Sequence, residues 1–203
     1  MSGMLLSCAD FPIIKQVADL LGFVMNILYT IFDKIGIKVA LAAPTGRAAK
    51  RMSETTQREA KTIHRLLEME FAADDKPRFR RDEDNLLEES VIIIDEASMV
   101  DTLLMASLLK AVKPGSRFIL IGDADQLPSV GAGNVLCDLL ASDIFHSVRL
   151  TEIYRQARES RIVTNAHAIN DGDLPILDDK KGDFFFISRE DETQIAPTIS
   201  DLC

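Results

Sequence analysis

The chain has 203 residues, with 23 lysines and arginines against 32 aspartates and glutamates, a formal charge of −9. A composition of 47% hydrophobic and 27% charged residues, with 7 prolines and 10 glycines, excludes a disordered, collagen-like or low-complexity chain. The acidity excludes coating of nucleic acid by bulk charge but leaves room for a local basic groove.

The elements can be read in chain order. Leu20 to Phe32 is apolar apart from Asn26 and Thr30, but its 13 residues fall short of the roughly 20 that span a bilayer. Without a basic leader or a small-residue cleavage site, the segment reads as a buried helix and not as a signal or membrane anchor. Helical spacing runs from Ile13 to Lys34 and stops at Gly36. Ile37 to Ala43 is a short apolar run, expected to be a buried strand. Gly46 to Met52 reads as a turn into a helix, and Thr62 as the N-cap of a helix over His64 to Met69. Ala72 to Glu89, polar and carrying Pro77, reads as a surface loop.

Val91 to Ile94 is expected to be a second buried strand, and Leu103, Leu104, Leu108, Leu109 and Val112 recur at helical spacing after it. A turn at Pro114-Gly115 leads to a third strand, Phe118 to Ile121. Val135 to Leu140 reads as a helix, Ser147 to Leu150 as a fourth strand, and Ile162 to Ile169 as a helix. Asp171-Gly172-Asp173 breaks the pattern, and Asp183 to Ser188 reads as a strand opening a new element. Strands alternating with helices imply an α/β fold, a mostly parallel sheet covered on both faces. Ligands bind such sheets outside the carboxyl ends of the strands.

The chemistry-bearing residues sit at those ends. Asp95 and Glu96 follow four β-branched residues, and two adjacent carboxylates at the mouth of a buried strand need a partner. A divalent cation with a nucleotide phosphate is one partner, and capping of the next helix near Ser98 and Asp101 is the alternative. Gln126, in GDADQLP after the third strand, suits contact with a terminal phosphate oxygen; a simple polar turn explains Gly122 and Pro128 but leaves Gln126 without a role. From Pro44 to Arg65 the chain carries Arg47, Lys50, Arg51, Arg58, Lys61 and Arg65 against Glu54 and Glu59, a local +4. That island suits a phosphate backbone, and equally a solvated helix face. Cys8, Cys137 and Cys203 stand far apart with no CxxC, so neither a disulfide framework nor a zinc site is indicated, and a reducing cytoplasmic setting is the simplest expectation.

The segments APTGRAAKRM, TIHRLLE, VIIIDEASMVD, FILIGDADQLPSVGAGNVL and VRLTEIYRQA, in that order, resemble the RecD-like branch of superfamily-1 DNA helicases, and the RecD/TraA type (exodeoxyribonuclease V alpha subunit) in particular. The resemblance runs from about Gly36 to Ser188. It implies a RecA-like P-loop NTPase lobe with an incomplete second lobe. The expected division is an atypical N-terminal helical segment over 1–35, a partial motor lobe over 36–170 and the start of a second lobe over 171–203.

By the same resemblance, Asp95 would hold the Mg²⁺ of ATP and Glu96 would orient the attacking water. Gln126 would contact the γ-phosphate, and Arg155 would stabilise charge on the transferred phosphoryl group. Pro44, Thr45, Arg47 and Lys50, with Thr62 and His64, would touch single-stranded DNA; His64 taken alone reads as an ordinary helix-surface histidine. Family members move 5′ to 3′ on single strands in DNA recombination and repair, some with further helicase or nuclease subunits. The family's phosphate loop, GxxxxGK followed by Ser or Thr, is absent from the sequence, and Asp19 to Asn26 stands where it would be. The expectation is therefore a helicase fragment without ATPase competence of its own. A non-hydrolysing single-strand-binding or scaffold protein, or a non-functional relic, are the alternatives.

Overall fold

The computed structural model describes residues 12–71, 77–150, 160–177, 183–184, 186–189 and 191–202. Two compact units are present: Ala18–Val148, and a second made of Met1–Val17 with Arg149–Cys203.

The first unit is built on a parallel sheet. Its strands are β1 (Val39–Ala43), β2 (Ala60–Thr62), β5 (Val91–Ile94) and β6 (Arg117–Leu120), in the order β2-β1-β5-β6. A short antiparallel hairpin, β3 (Met69–Phe71) with β4 (Pro77–Phe79), stands apart from it. The helices are α1 (Pro12–Lys34), α2 (Gly46–Thr56), α3 (Ile63–Leu66), α4 (Thr102–Ala111) and α5 (Val135–Ala141).

Period-two alternation divides each central strand between two cores. Ala40, Ala42, Ile92 and Ile94 pack with Leu66, Leu67, Leu104, Leu108 and Leu136, so α3, α4 and α5 cover one face. Leu41, Val91 and Ile93 pack with Met25 of α1 and Met52 of α2 on the other. Burial on both sides is why VIII is continuously apolar and not alternating. α1 lies against α2 closely enough that a Cβ on Gly22 would run into the Thr55 side chain. α1 ends at Gly36 in the left-handed region (φ 75°), as the sequence indicates.

Three expectations are corrected. Ser147 to Leu150 is not a strand: Val148 is 91% and Leu150 68% exposed, and no strand among the described residues gives them a ladder. The described residues of the segment Asp183 to Ser188 are not in a strand either. The stretch read as surface loop from Ala72 contains β4, whose pairing with β3 ends the His64–Met69 helix early, at Leu66.

In the second unit, α6 (Arg161–Asn170) is capped by Ser160, whose Oγ accepts from Val163 N–H. Ser160 Oγ in turn donates to Asp183 Oδ2 (2.5 Å), while Asp183 Oδ1 accepts from Arg161 N–H at 2.7 Å. Burial works to raise the Asp183 carboxyl, but these donors, with Ile162 N–H, outweigh it and hold it below the usual aspartate range. The buried Asn165 exchanges two hydrogen bonds with the backbone of Ile176. α7 (Ile195–Leu202) closes the described chain.

Candidate functional site

The parallel order β2-β1-β5-β6 aligns four strand ends in one row. Ala43 pairs with Thr62, and Ile94 with Leu120. With strands about 4.8 Å apart, Thr62, Pro44-Thr45, Asp95-Glu96 and Gly122-Asp123 occupy a mouth roughly 15 Å across.

At the β2 and β1 ends, both threonines are helix caps. Thr45 Oγ1 accepts from Ala48 N–H at 3.2 Å and starts α2; Thr62 Oγ1 accepts from Arg65 N–H at 3.2 Å and starts α3. Each hydroxyl is therefore committed to its helix first. Pro44 is half-buried beside them. His64 is half-buried, its ring tilted against Phe79 with centroids 5.9 Å apart, so it braces the hairpin.

The basic island does not form a single solvated face. Arg58 lies over the Tyr29 ring, 4.8 Å from its centroid. Arg51 turns inward to the acid pair (below), and Lys50 and Lys61 make only loose, exposed contacts to Glu54 and Glu59. Arg47 and Arg65 are exposed and carry no partner among the described residues. Sequence spacing counts six cations here; the fold gives Arg51 and Arg58 close partners, although both stay exposed, and leaves the other four without one among the described residues.

Asp95 is buried, 5% exposed, with its N–H donating to Ala42 O at 3.0 Å. Its Oδ1 accepts from Glu96 N–H at 2.9 Å. Glu96 adopts φ 53°, ψ 41°, a left-handed conformation rare for a side chain of its size. From there its Oε1 accepts from Arg51 Nη2 at 2.8 Å, and the same nitrogen lies 3.7 Å from Asp95 Oδ2. Ser98 Oγ, three residues on, is buried without a hydrogen-bond partner among the described residues.

Beyond β6 the chain runs close over this turn. A Cβ on Gly122 would press on the N–H groups of Ala97 and Ser98. Asp123 Oδ1 accepts from Asp125 N–H at 3.0 Å, and Gln126 follows on the exposed turn. Ala132 O then accepts from Thr102 N–H at 3.0 Å, and Gly131 and Gly133 lie where any side chain would collide with Asp101 or Thr102. Gln126 is thus on the same side of the sheet as the acid pair, but is not bonded to it. Arg155 lies outside the described residues. Sequence reading missed Arg51 as a site residue; the signal for it is the pair Ala48-Ala49, small enough to seat α2 tightly at Ala43 beside the strand mouth.

The chain is 41% identical over 149 residues to the ATP-dependent RecD2 DNA helicase of Deinococcus radiodurans, covering 73% of this chain and 20% of that protein. It is 46% identical over 157 residues to the RecBCD enzyme subunit RecD of Mycobacterium tuberculosis, covering 67% and 26%. A family model described as AAA domain matches residues 22–183. The chain belongs to the AAA domain family, in its RecD-like helicase branch. This RecD-like chain spans about a fifth to a quarter of the length of these relatives. Among solved structures, Bacteroides Pif1 bound to ssDNA aligns over 72% of this chain and 40% of its own, at 23% identity and a TM-score of 0.46.

The family implies Mg²⁺ and ATP, and the donor set can be tested against them. Two of the four carboxylate oxygens at the mouth already hold internal hydrogen bonds, and a third faces Arg51. No group of three or more metal-ligating side chains occurs among the described residues. No phosphate loop supplies backbone N–H groups, a lysine and a hydroxyl. The residues present do not fit Mg²⁺–ATP. No helix of the described residues is long and apolar enough to cross a membrane.

Proposed function

We propose that this RecD-like chain carries the strand-binding edge of a 5′-to-3′ helicase lobe, and that it holds single-stranded DNA without hydrolysing ATP by its own residues. The observation that supports this most is the row of strand ends. Arg47 and Lys50 follow the Pro44-Thr45 corner on α2, Lys61 and Arg65 flank Thr62-His64 in the chain, and these two corners stand on neighbouring strands with the acid pair on the next strand of the row. Capped helix starts also present N–H groups to phosphate oxygens.

In a complete motor, Asp95, Glu96, Gln126 and Arg155 would serve nucleotide hydrolysis, with Mg²⁺–ATP held mainly by a phosphate loop and a second lobe. The organisation proposed is the one read from the sequence: a helical segment over 1–35, a partial lobe over 36–170 and the beginning of another over 171–203. The working setting would be cytoplasmic DNA recombination or repair, with other helicase or nuclease subunits as partners. Charge-assisted bonds contribute about 1.5–3 kcal/mol each, so lacking three removes roughly 5 kcal/mol or more. That is a loss of at least ~10³-fold in ATP affinity.

The purified chain should bind a labelled oligo-dT strand with strong salt dependence, and show no ATP turnover above background when DNA is added. Steady DNA-stimulated turnover would overturn the ATPase part, and salt-independent or absent DNA binding the other. The Arg51 contact with the acid pair favours a second reading, a single-strand-binding or scaffold protein that works by itself and not as part of a motor. Binding affinity indifferent to added nucleotide would separate this from a motor fragment.

A further inference from the structure

We propose that the Arg51 guanidinium is the resident counter-cation of the Asp95–Glu96 pair, and that it keeps divalent cations out of this strand mouth.

The charge at the mouth calls for a cation. Asp95 is almost fully buried and Glu96 is largely so, with side chains 7% and 21% exposed. Two carboxylates held side by side at the end of an apolar strand repel one another and lose solvation. Something positive must stand beside them. Among the described residues that group is Arg51, whose Nη2 reaches Glu96 Oε1 at 2.8 Å and lies 3.7 Å from Asp95 Oδ2. One nitrogen, hydrogen-bonded to Glu96 and within ion-pair distance of Asp95, thus puts a positive charge beside both carboxylates, where a shared metal ion would have to approach.

Local structure holds it there. Ala48 and Ala49 pack with Ala43, so α2 approaches the β1 end without large side chains between them. Met52, the next residue, is buried in the core below, and this fixes the rotation of the helix. On the carboxylate side, Glu96 is turned toward Arg51 by its left-handed backbone, and Asp95 Oδ1 is tied to Glu96 N–H. Arginine suits this task because it stays protonated at every working pH and its planar head bridges two acceptors. The consequence goes beyond a missing phosphate loop: even the acid pair, which survives intact, is closed to metal by a side chain of the same chain. The inference rests on these contacts alone and stands whether or not the chain binds DNA.

Mn²⁺ is the probe, added to the full chain and followed by the paramagnetic resonance signal of the free ion. The native chain should leave Mn²⁺ free through the low millimolar range. Arg51→Gln should bind it at least about tenfold more tightly, a difference of roughly 1.4 kcal/mol. Adding Asp95→Asn to that variant should abolish the gain. A mere helix staple would lower the melting temperature of Arg51→Gln with no gain in Mn²⁺ affinity, and that result overturns the proposal. If Arg51→Gln does not fold, the native chain decides: its Asp95 and Glu96 amide resonances should keep their widths on addition of Mn²⁺, and selective broadening at submillimolar ion would overturn the inference.

Discussion

Replacing Arg47 and Arg58 one at a time distinguishes the folded arrangement of charge from the arrangement the sequence suggests. Both arginines lie in the +4 island, but Arg58 stacks on Tyr29 while Arg47 stands exposed and unpaired among the described residues. Each phosphate contact on a single strand contributes about −0.7 to the slope of log K against log salt. If all six cations of the island met phosphates, the slope would be roughly −4.2; with Arg51 and Arg58 engaged internally, four contacts give about −2.8. Fluorescence anisotropy of a labelled oligo-dT between about 25 and 200 mM salt reads this directly. Arg47→Ala should flatten the slope by about 0.7, whereas Arg58→Ala should leave it unchanged and cost about 0.5–1 kcal/mol of stability through the lost ring contact. A native slope near −4, or equal flattening by both variants, would refute the reasoning.

Met52→Ala removes a side chain 1% exposed in the core under α1 and should cost about 2–5 kcal/mol in a denaturant melt. Gly133→Ala places a side chain against Thr102 at φ 98° and should cost about 1–3 kcal/mol or more by the same assay, while Gly172→Ala, also at positive φ but with open space around it, bears the backbone strain alone and should cost less. The Asp183 carboxyl is depressed in the folded chain, so its contribution to α6 is fully present above the unfolded value of about 3.9 and drains away as pH falls through the lower folded value. Asp183→Asn should therefore reduce the difference in melting temperature between pH 6 and acid pH, and an unchanged acid dependence would contradict the assignment.

The sheet was legible because doubly buried strands leave a strong mark. Val91 to Ile94 is apolar at every position, and the strand appears with those bounds. β2 was not legible, since Ala60-Lys61-Thr62 has neither alternation nor an apolar run; it becomes a strand by pairing with β1 in three dimensions. Ser147 to Leu150 shows the converse, an alternating Ser-Val-Arg-Leu segment without a ladder partner among the described residues, which stays outside the sheet. At the mouth, Asp95 and Glu96 were legible as a carboxylate pair in need of a partner, and Thr62 as a cap. Arg51 was not, because charge counting along the chain is blind to the partner that a neighbouring strand brings beside a helix. One turn on from Arg47, and on the same face of α2, Arg51 meets Glu96 at the end of β5.

The loop carrying Gln126 is fastened at its far end. At its start the Asp123 side chain only closes a local turn on Asp125 N–H, and at its finish Ala132 O holds the first N–H of α4. That end has little slack, because Gly131 and Gly133 are already pressed against Asp101 and Thr102, while Leu127 and Val130 in the middle stand exposed. Asp101 also caps α4 through Leu104 N–H, at 2.7 Å. The far end of the loop is thus joined to the leading turn of α4, whose Leu104 and Leu108 pack on the sheet, so this tie of the Gln126 loop leads to the helix that follows the acid pair and not back to the acid pair itself.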